Sequence, residues 1–85
     1  MPPKLTTSTS KPFYGDDIQL SCTSNDTNIS TYELFNGNTS IVKQKSSSFV
    51  LKFGVNNNFN GLYKCRVHIL ENIMFSDSDD LRLTG

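Results

Sequence analysis

The run Gly61-Leu62-Tyr63-Lys64-Cys65 ends 43 residues beyond Cys22, the only other cysteine, and Cys22 itself closes the alternating run Ile18-Gln19-Leu20-Ser21-Cys22. Both cysteines thus occupy the apolar phase of a period-two pattern, Cys22 with Ile18 and Leu20, Cys65 with Tyr63, Val67 and Ile69. Residues two apart on a strand point to the same face, so each cysteine belongs to the inner face of a strand. The clearest alternation is Phe49, Leu51, Phe53 and Val55 on one side, with Val50 and Lys52 on the other. Turn signals recur roughly every 8–12 residues and no helical period competes with them, the pattern of an all-β sandwich. The expected strands are residues 4–9, 18–24, 31–35, 41–45, 49–55 and 62–70, with a last strand that follows a turn near Glu71-Asn72 and ends in Leu81-Arg82-Leu83. Gly15-Asp16-Asp17 and Asn36-Gly37 supply turns, the latter a hairpin signal.

A chain of 85 residues, only 35% apolar, is expected to be one domain over residues 1–85, close to the lower limit for a core that is stable alone. Eight basic and eight acidic side chains give a net charge of zero with no basic cluster, which argues against nucleic acid as a partner. No stretch approaches the ~20 apolar residues of a membrane span, and no charged-then-apolar leader opens the sequence. Met1 before Pro2-Pro3, and an end at Leu83-Thr84-Gly85, read as the limits of a piece excised from a longer ectodomain. Any signal, stalk or membrane anchor is then expected outside it.

The Gly-x-Tyr-x-Cys run together with Cys22 resembles an immunoglobulin-superfamily domain of C2 or I type, a two-sheet sandwich of seven to eight strands. The resemblance implies one inter-sheet disulfide, Cys22–Cys65, between strands B and F, and a tyrosine corner at Tyr63 whose hydroxyl turns back to the E–F corner. Closing so long a loop would stabilise the fold by roughly 4 kcal/mol. A disulfide in turn implies an oxidising compartment, so an extracellular location, as a secreted protein or the ectodomain of a cell-surface membrane protein. Two reduced core cysteines, as in intracellular muscle-type domains, are the alternative. The sequence departs from the family pattern in two places. Strand C has no Trp, so Tyr32 or Leu34 must face the disulfide, and Phe59 replaces the usual Asp before the corner glycine, leaving asparagines 56–58 and 60 to support the turn. The interval between the cysteines is too short for the extra strand pair of variable-type domains. Ser30-Thr31-Tyr32-Glu33-Leu34-Phe35, with Tyr for Trp, resembles strand C of leukocyte Fc-receptor-like, platelet–endothelial adhesion-type and allergin-like receptors. Such domains bind proteins through exposed sheet faces or stack as spacers.

Three sequons begin at Asn25, Asn28 and Asn38, all in expected loops, although nine Asn and 19 Ser or Thr would produce about two by chance. Glycans are expected on at least one, with Asn25 and Asn28 covering the B–C end. No catalytic constellation is present: His68 is the only histidine, is expected to point outward, and has no nucleophile at a meaningful spacing. Asp77-Ser78-Asp79-Asp80 lacks the loop of a hard-cation site and reads as solvated edge-strand charge, so no metal or cofactor is expected. Outward residues on strands C and F, Glu33 and Phe35 beside Lys64, Arg66 and His68, would form an aromatic surrounded by mixed charge, the chemistry of protein interfaces. The apolar F–G segment would extend it with Ile73 and Met74. The expected function is a non-enzymatic recognition module of a cell-surface immune receptor or adhesion protein, its partner another protein rather than a small-molecule substrate. A spacer in a tandem array and a virus-encoded immunoglobulin-like mimic are the alternatives.

Overall fold

The computed structural model describes residues 3–8, 15, 17–52, 61–71 and 73–83. Eight strands run through them: β1 (Lys4–Thr7), β2 (Asp17–Thr23), β3 (Ile29–Asn36), β4 (Thr39–Gln44), β5 (Ser48–Lys52), β6 (Gly61–Ile69), β7 (Met74–Asp77) and β8 (Leu81–Leu83). They form two antiparallel sheets. One has the order β1-β2-β5; the other has the order β4-β3-β6-β7, with β8 lying beside the first part of β6. Among the described residues there is no helix. The expected strand positions of Thr9, Phe53 and Val55, the turn residues Asp16 and Asn72, and the corner segment 56–60 with Phe59 fall outside the described residues.

Period-two patterning explains the packing. Ile18, Leu20 and Cys22 of β2 and Phe49 and Leu51 of β5 face Leu34 of β3 and Tyr63, Cys65 and Val67 of β6, all buried. The Cys22–Cys65 disulfide joins β2 to β6 across this core, with Cα atoms 6.2 Å apart. Leu34 pairs with Cys65 and is fully buried, while Tyr32 packs partly buried against the same cluster. Leu34 therefore fills the place beside the disulfide, with Tyr32 one step along.

Three local features differ from the sequence expectation, each with a physical cause. β3 begins at Ile29 rather than Thr31, because Ile29 pairs with Ile69 ahead of an irregularity in the ladder. The β3–β4 hairpin turns on Gly37-Asn38 rather than Asn36-Gly37. Asn36 pairs with Thr39, and of the two central residues only Gly37 has positive φ, at 61°, the signature of a type II′ turn. The final strand is split in two at Ser78. Its hydroxyl accepts the Cys65 N–H at 2.9 Å and donates to the Asp79 carbonyl at 3.0 Å, while its own N–H donates to the Cys65 carbonyl at 2.9 Å. A side-chain oxygen thus replaces a ladder carbonyl, and Asp79 and Asp80 are left in solvent.

Candidate functional site

The outward faces of β3, β6 and β7 share one surface, set by strand register. Glu33 lies opposite Arg66, Phe35 opposite Lys64, Asp77 opposite Arg66 and Phe75 opposite His68. Arg66 is its centre. The guanidinium carbon stands 4.8 Å from the centroid of the Phe35 ring and 4.3 Å from that of Phe75. Its Nε donates to Asp77 Oδ1 at 2.6 Å and its Nη2 to Oδ2 at 3.1 Å. Lys64 adds a longer contact to the same carboxylate, 3.5 Å, and holds its ammonium 5.6 Å from the Phe35 centroid. The arrangement is rigid for its exposure: a fork-to-fork pair fixes the plane of the guanidinium, and two rings on neighbouring strands accept its charge.

The titration behaviour follows from these contacts. The Arg66 hydrogen bond holds the Asp77 carboxyl below its ordinary value against the opposing effect of burial, with the charges of Arg66 and Lys64 assisting. Arg66 is raised in turn, chiefly by the same bond. A second pair lies one step along the sheet, where His68 Nε2 meets Glu33 Oε1 at 2.8 Å and the Ser40 hydroxyl donates to the other Glu33 oxygen. Burial pushes the Glu33 carboxyl up, but the bonds from Ser40 and His68 and the charges of His68 and Lys43 outweigh it, so the net direction is down.

Beyond this face, the β6–β7 turn is apolar. Ile73 is 79% exposed, Phe75 59%, Met74 55% and Leu70 44%. Leu70 and Glu71 both take positive φ, 53° and 56°, a conformation that side chains other than Gly and Asn disfavour. The turn is held against the end of the β2–β3 loop and the start of β3: the Leu70 N–H donates to the Asn28 carbonyl at 3.1 Å and the Glu71 N–H to the Ser30 hydroxyl at 2.6 Å. Between the two segments opens a cleft of about 450 Å³ lined by Asn28, Ile29, Ser30, Leu70, Glu71 and Ile73.

Among solved structures, the second immunoglobulin C2 domain of human Fc-receptor-like A superposes with a TM-score of 0.78 over 100% of this chain and 99% of that one, at 20% identity. The fold is that of an immunoglobulin C2-type domain. No protein-family profile matches the sequence, and no curated protein does. Identity this low establishes the sandwich and nothing about its ligand.

On this immunoglobulin-like fold, Glu33, Phe35 and Arg66 come together on one face, with Lys64 beside them. Ile73 stands at the end of that face and lines the cleft instead. Met74 does not join them: it pairs with Ile69, which packs toward the core, so alternation sends Met74 to the inner side of the sheet and Phe75 to the outer side. His68 shares the outer face but is only 9% exposed, enclosed by its pairing with Glu33 and by Phe75 opposite, so it is not the solvated surface residue expected. Asp77 is likewise no free edge charge, being engaged by Arg66 and Lys64. Asn25, Asn28 and Asn38 are all exposed; Asn28 has positive φ, 61°, and shares the cleft with Ile73. Tyr63 is fully buried and burial pushes its hydroxyl up to about 12. The E–F corner segment it would hold lies outside the described residues.

Proposed function

We propose that this chain is a non-enzymatic extracellular immunoglobulin-like module of a cell-surface immune receptor or adhesion protein, and that it recognises another protein through the outer face of β3, β6 and β7. The carrying observation is the Arg66 guanidinium held over Phe35 and Phe75 and tied to Asp77. Aromatic and Arg side chains dominate measured hot spots. One whose rotamer is already fixed loses little entropy when a partner covers it. The disulfide supports an oxidising location. Sandwiches of this architecture recur in cell-surface domains, and the superposable neighbour is itself a domain of an Fc-receptor-like protein. A glycan on Asn28 would stand at the cleft beside Ile73.

The test is to tetramerise the domain on a fluorescent scaffold, screen it against purified ectodomains from the same species, and remeasure any hit with Phe35→Ala and Arg66→Ala. Truncating a true anchor costs at least ~2 kcal/mol, about thirtyfold in affinity. Losses below about threefold for both would retire this face, and a loss confined to Ile73→Ala would move recognition to the cleft.

A further inference from the structure

The edges of the two sheets are not treated alike. β1 carries exposed Lys4, β4 exposed Lys43, β5 exposed Lys52 and β8 exposed Arg82. Such charges on an edge discourage pairing with another strand. β7 is the exception. Its sequence Met74-Phe75-Ser76-Asp77 has no Lys, Arg or Pro, its ladder to β6 has no bulge, and its one charge is engaged by Arg66 and Lys64. Among the described residues no strand pairs with its outer edge.

The open edge also presents its backbone in a defined phase. The Ser78 N–H donates to the Cys65 carbonyl, so stepping back by twos turns the amides of Ser76 and Met74 toward β6. The N–H and C=O of Phe75 and Asp77 then point away from the sheet. An antiparallel partner strand would find both groups of Phe75 free to exchange hydrogen bonds with it.

We propose that β7 pairs with β7 of a second copy of this chain, antiparallel and centred on Phe75, to give a two-fold dimer with one continuous sheet. The occupant is argued from charge and register. A two-fold centred on Phe75 sets Phe75 opposite its own counterpart, Met74 opposite Ser76, and Asp77 opposite Ile73, so no like charges face each other. Each Asp77 brings its own Arg66, and the whole chain has zero net charge, so no long-range repulsion opposes self-association. At β1, β4 or β5 an exposed lysine would instead enter the new ladder with no carboxylate set opposite it. Exposed Ile73, Met74 and Phe75 supply apolar contact on both sides of the new ladder. The interface is isologous and consumes the edge, so assembly closes at two copies. Because the axis runs perpendicular to the sheet, both Arg66 faces look the same way, a bivalent surface. The dimer needs no external ligand, so its failure and that of the recognition reading are separable.

Sedimentation equilibrium of the oxidised domain from about 10 μM to about 1 mM tests this, the upper limit corresponding to a weak but specific association. The expected result is a monomer–dimer equilibrium that Phe75→Lys weakens at least tenfold, since the substitution places two charges opposite each other on the axis. Folding of that variant is checked by circular dichroism. As a second measurement, mild oxidation of Phe75→Cys should give a disulfide-linked dimer, because Cα atoms of a hydrogen-bonded antiparallel pair sit about 5.5 Å apart, within disulfide reach. Val50→Cys, on the exposed face of β5, is the control. A monomer throughout the range, a dimer untouched by Phe75→Lys, or cross-linking of Phe75→Cys no faster than of Val50→Cys would each overturn the proposal. So would an extended peptide from another protein pairing with β7 while the domain itself stays monomeric.

Discussion

Gly61→Ala is a one-carbon change that should cost this domain a large part of its stability. Gly61 opens β6 with φ of +150°, and a Cβ built there would overlap the side-chain oxygen of Asn36, the last residue of β3. Two terms follow. The backbone region is almost exclusive to glycine, and holding alanine in it costs about 1–3 kcal/mol. The Asn36 amide must also swing aside; as the end of a side chain it can do so, at about 0.5–1.5 kcal/mol for leaving its rotamer. Together they amount to about 1.5–4.5 kcal/mol, against a total stability of roughly 4–13 kcal/mol for a domain of this length. At about 4–8 °C per kcal/mol, the melting temperature should fall by roughly 6–36 °C. Thermal and urea denaturation of the parent, Gly61→Ala, Asn36→Ala and the double variant separates the terms. In the Asn36→Ala background only the backbone cost remains, so the cycle should show a coupling of about 1 kcal/mol. A Gly61→Ala protein that melts within about 3 °C of the parent would refute the backbone reasoning. An unchanged cost in the Asn36→Ala background would refute the steric part.

Arg66→Ala should lower stability at neutral pH by about 1–2 kcal/mol, from a partly exposed ion pair and two ring contacts. Asp77 is held below its ordinary value of 3.8, so its contribution is full above that value and is lost as pH falls through the depressed one. The parent's advantage over Arg66→Ala, measured by urea denaturation, should therefore narrow below pH 3.8, and a gap that is constant with pH would show that Asp77 is not the partner. Tyr63→Phe should cost about 1 kcal/mol, the worth of one buried hydrogen bond. Burial raises the Tyr63 hydroxyl from 10.0 to about 12, so the neutral form is favoured by folding: the associated stability is full below pH 10 and is lost as pH rises through about 12. The parent should lose its advantage over Tyr63→Phe across that window, and an alkaline limb identical in the two proteins would contradict it.

The inner face of the sandwich was legible because many residues specify it together. Ile18, Leu20 and Cys22, Phe49 and Leu51, and Tyr63, Cys65 and Val67 each repeat the same period-two signal, and all are buried. A slip of one residue would turn a whole strand inside out, so the pattern leaves one register. The outer face has no such redundancy. Glu33, Phe35 and Arg66 could be placed side by side because alternation fixes their direction and C–F pairing fixes their neighbours. Phe75 and Asp77 could not, since their partners depend on the length of the turn after β6. That turn carries no Gly, Pro or Asn-Gly signal at Leu70-Glu71; two residues without special propensity take positive φ there, tethered by the Asn28 carbonyl and the Ser30 hydroxyl. Had the turn been one residue longer or shorter, alternation would have turned Met74 and Ser76 outward in place of Phe75 and Asp77. The burial of His68 was hidden for a related reason, as it comes from Glu33 on the neighbouring strand rather than from its own place in β6. The register that sets Phe75 and Asp77 against Arg66 therefore hangs on the conformation of Leu70 and Glu71, and the residue whose carbonyl holds Leu70, Asn28, is itself a sequon asparagine.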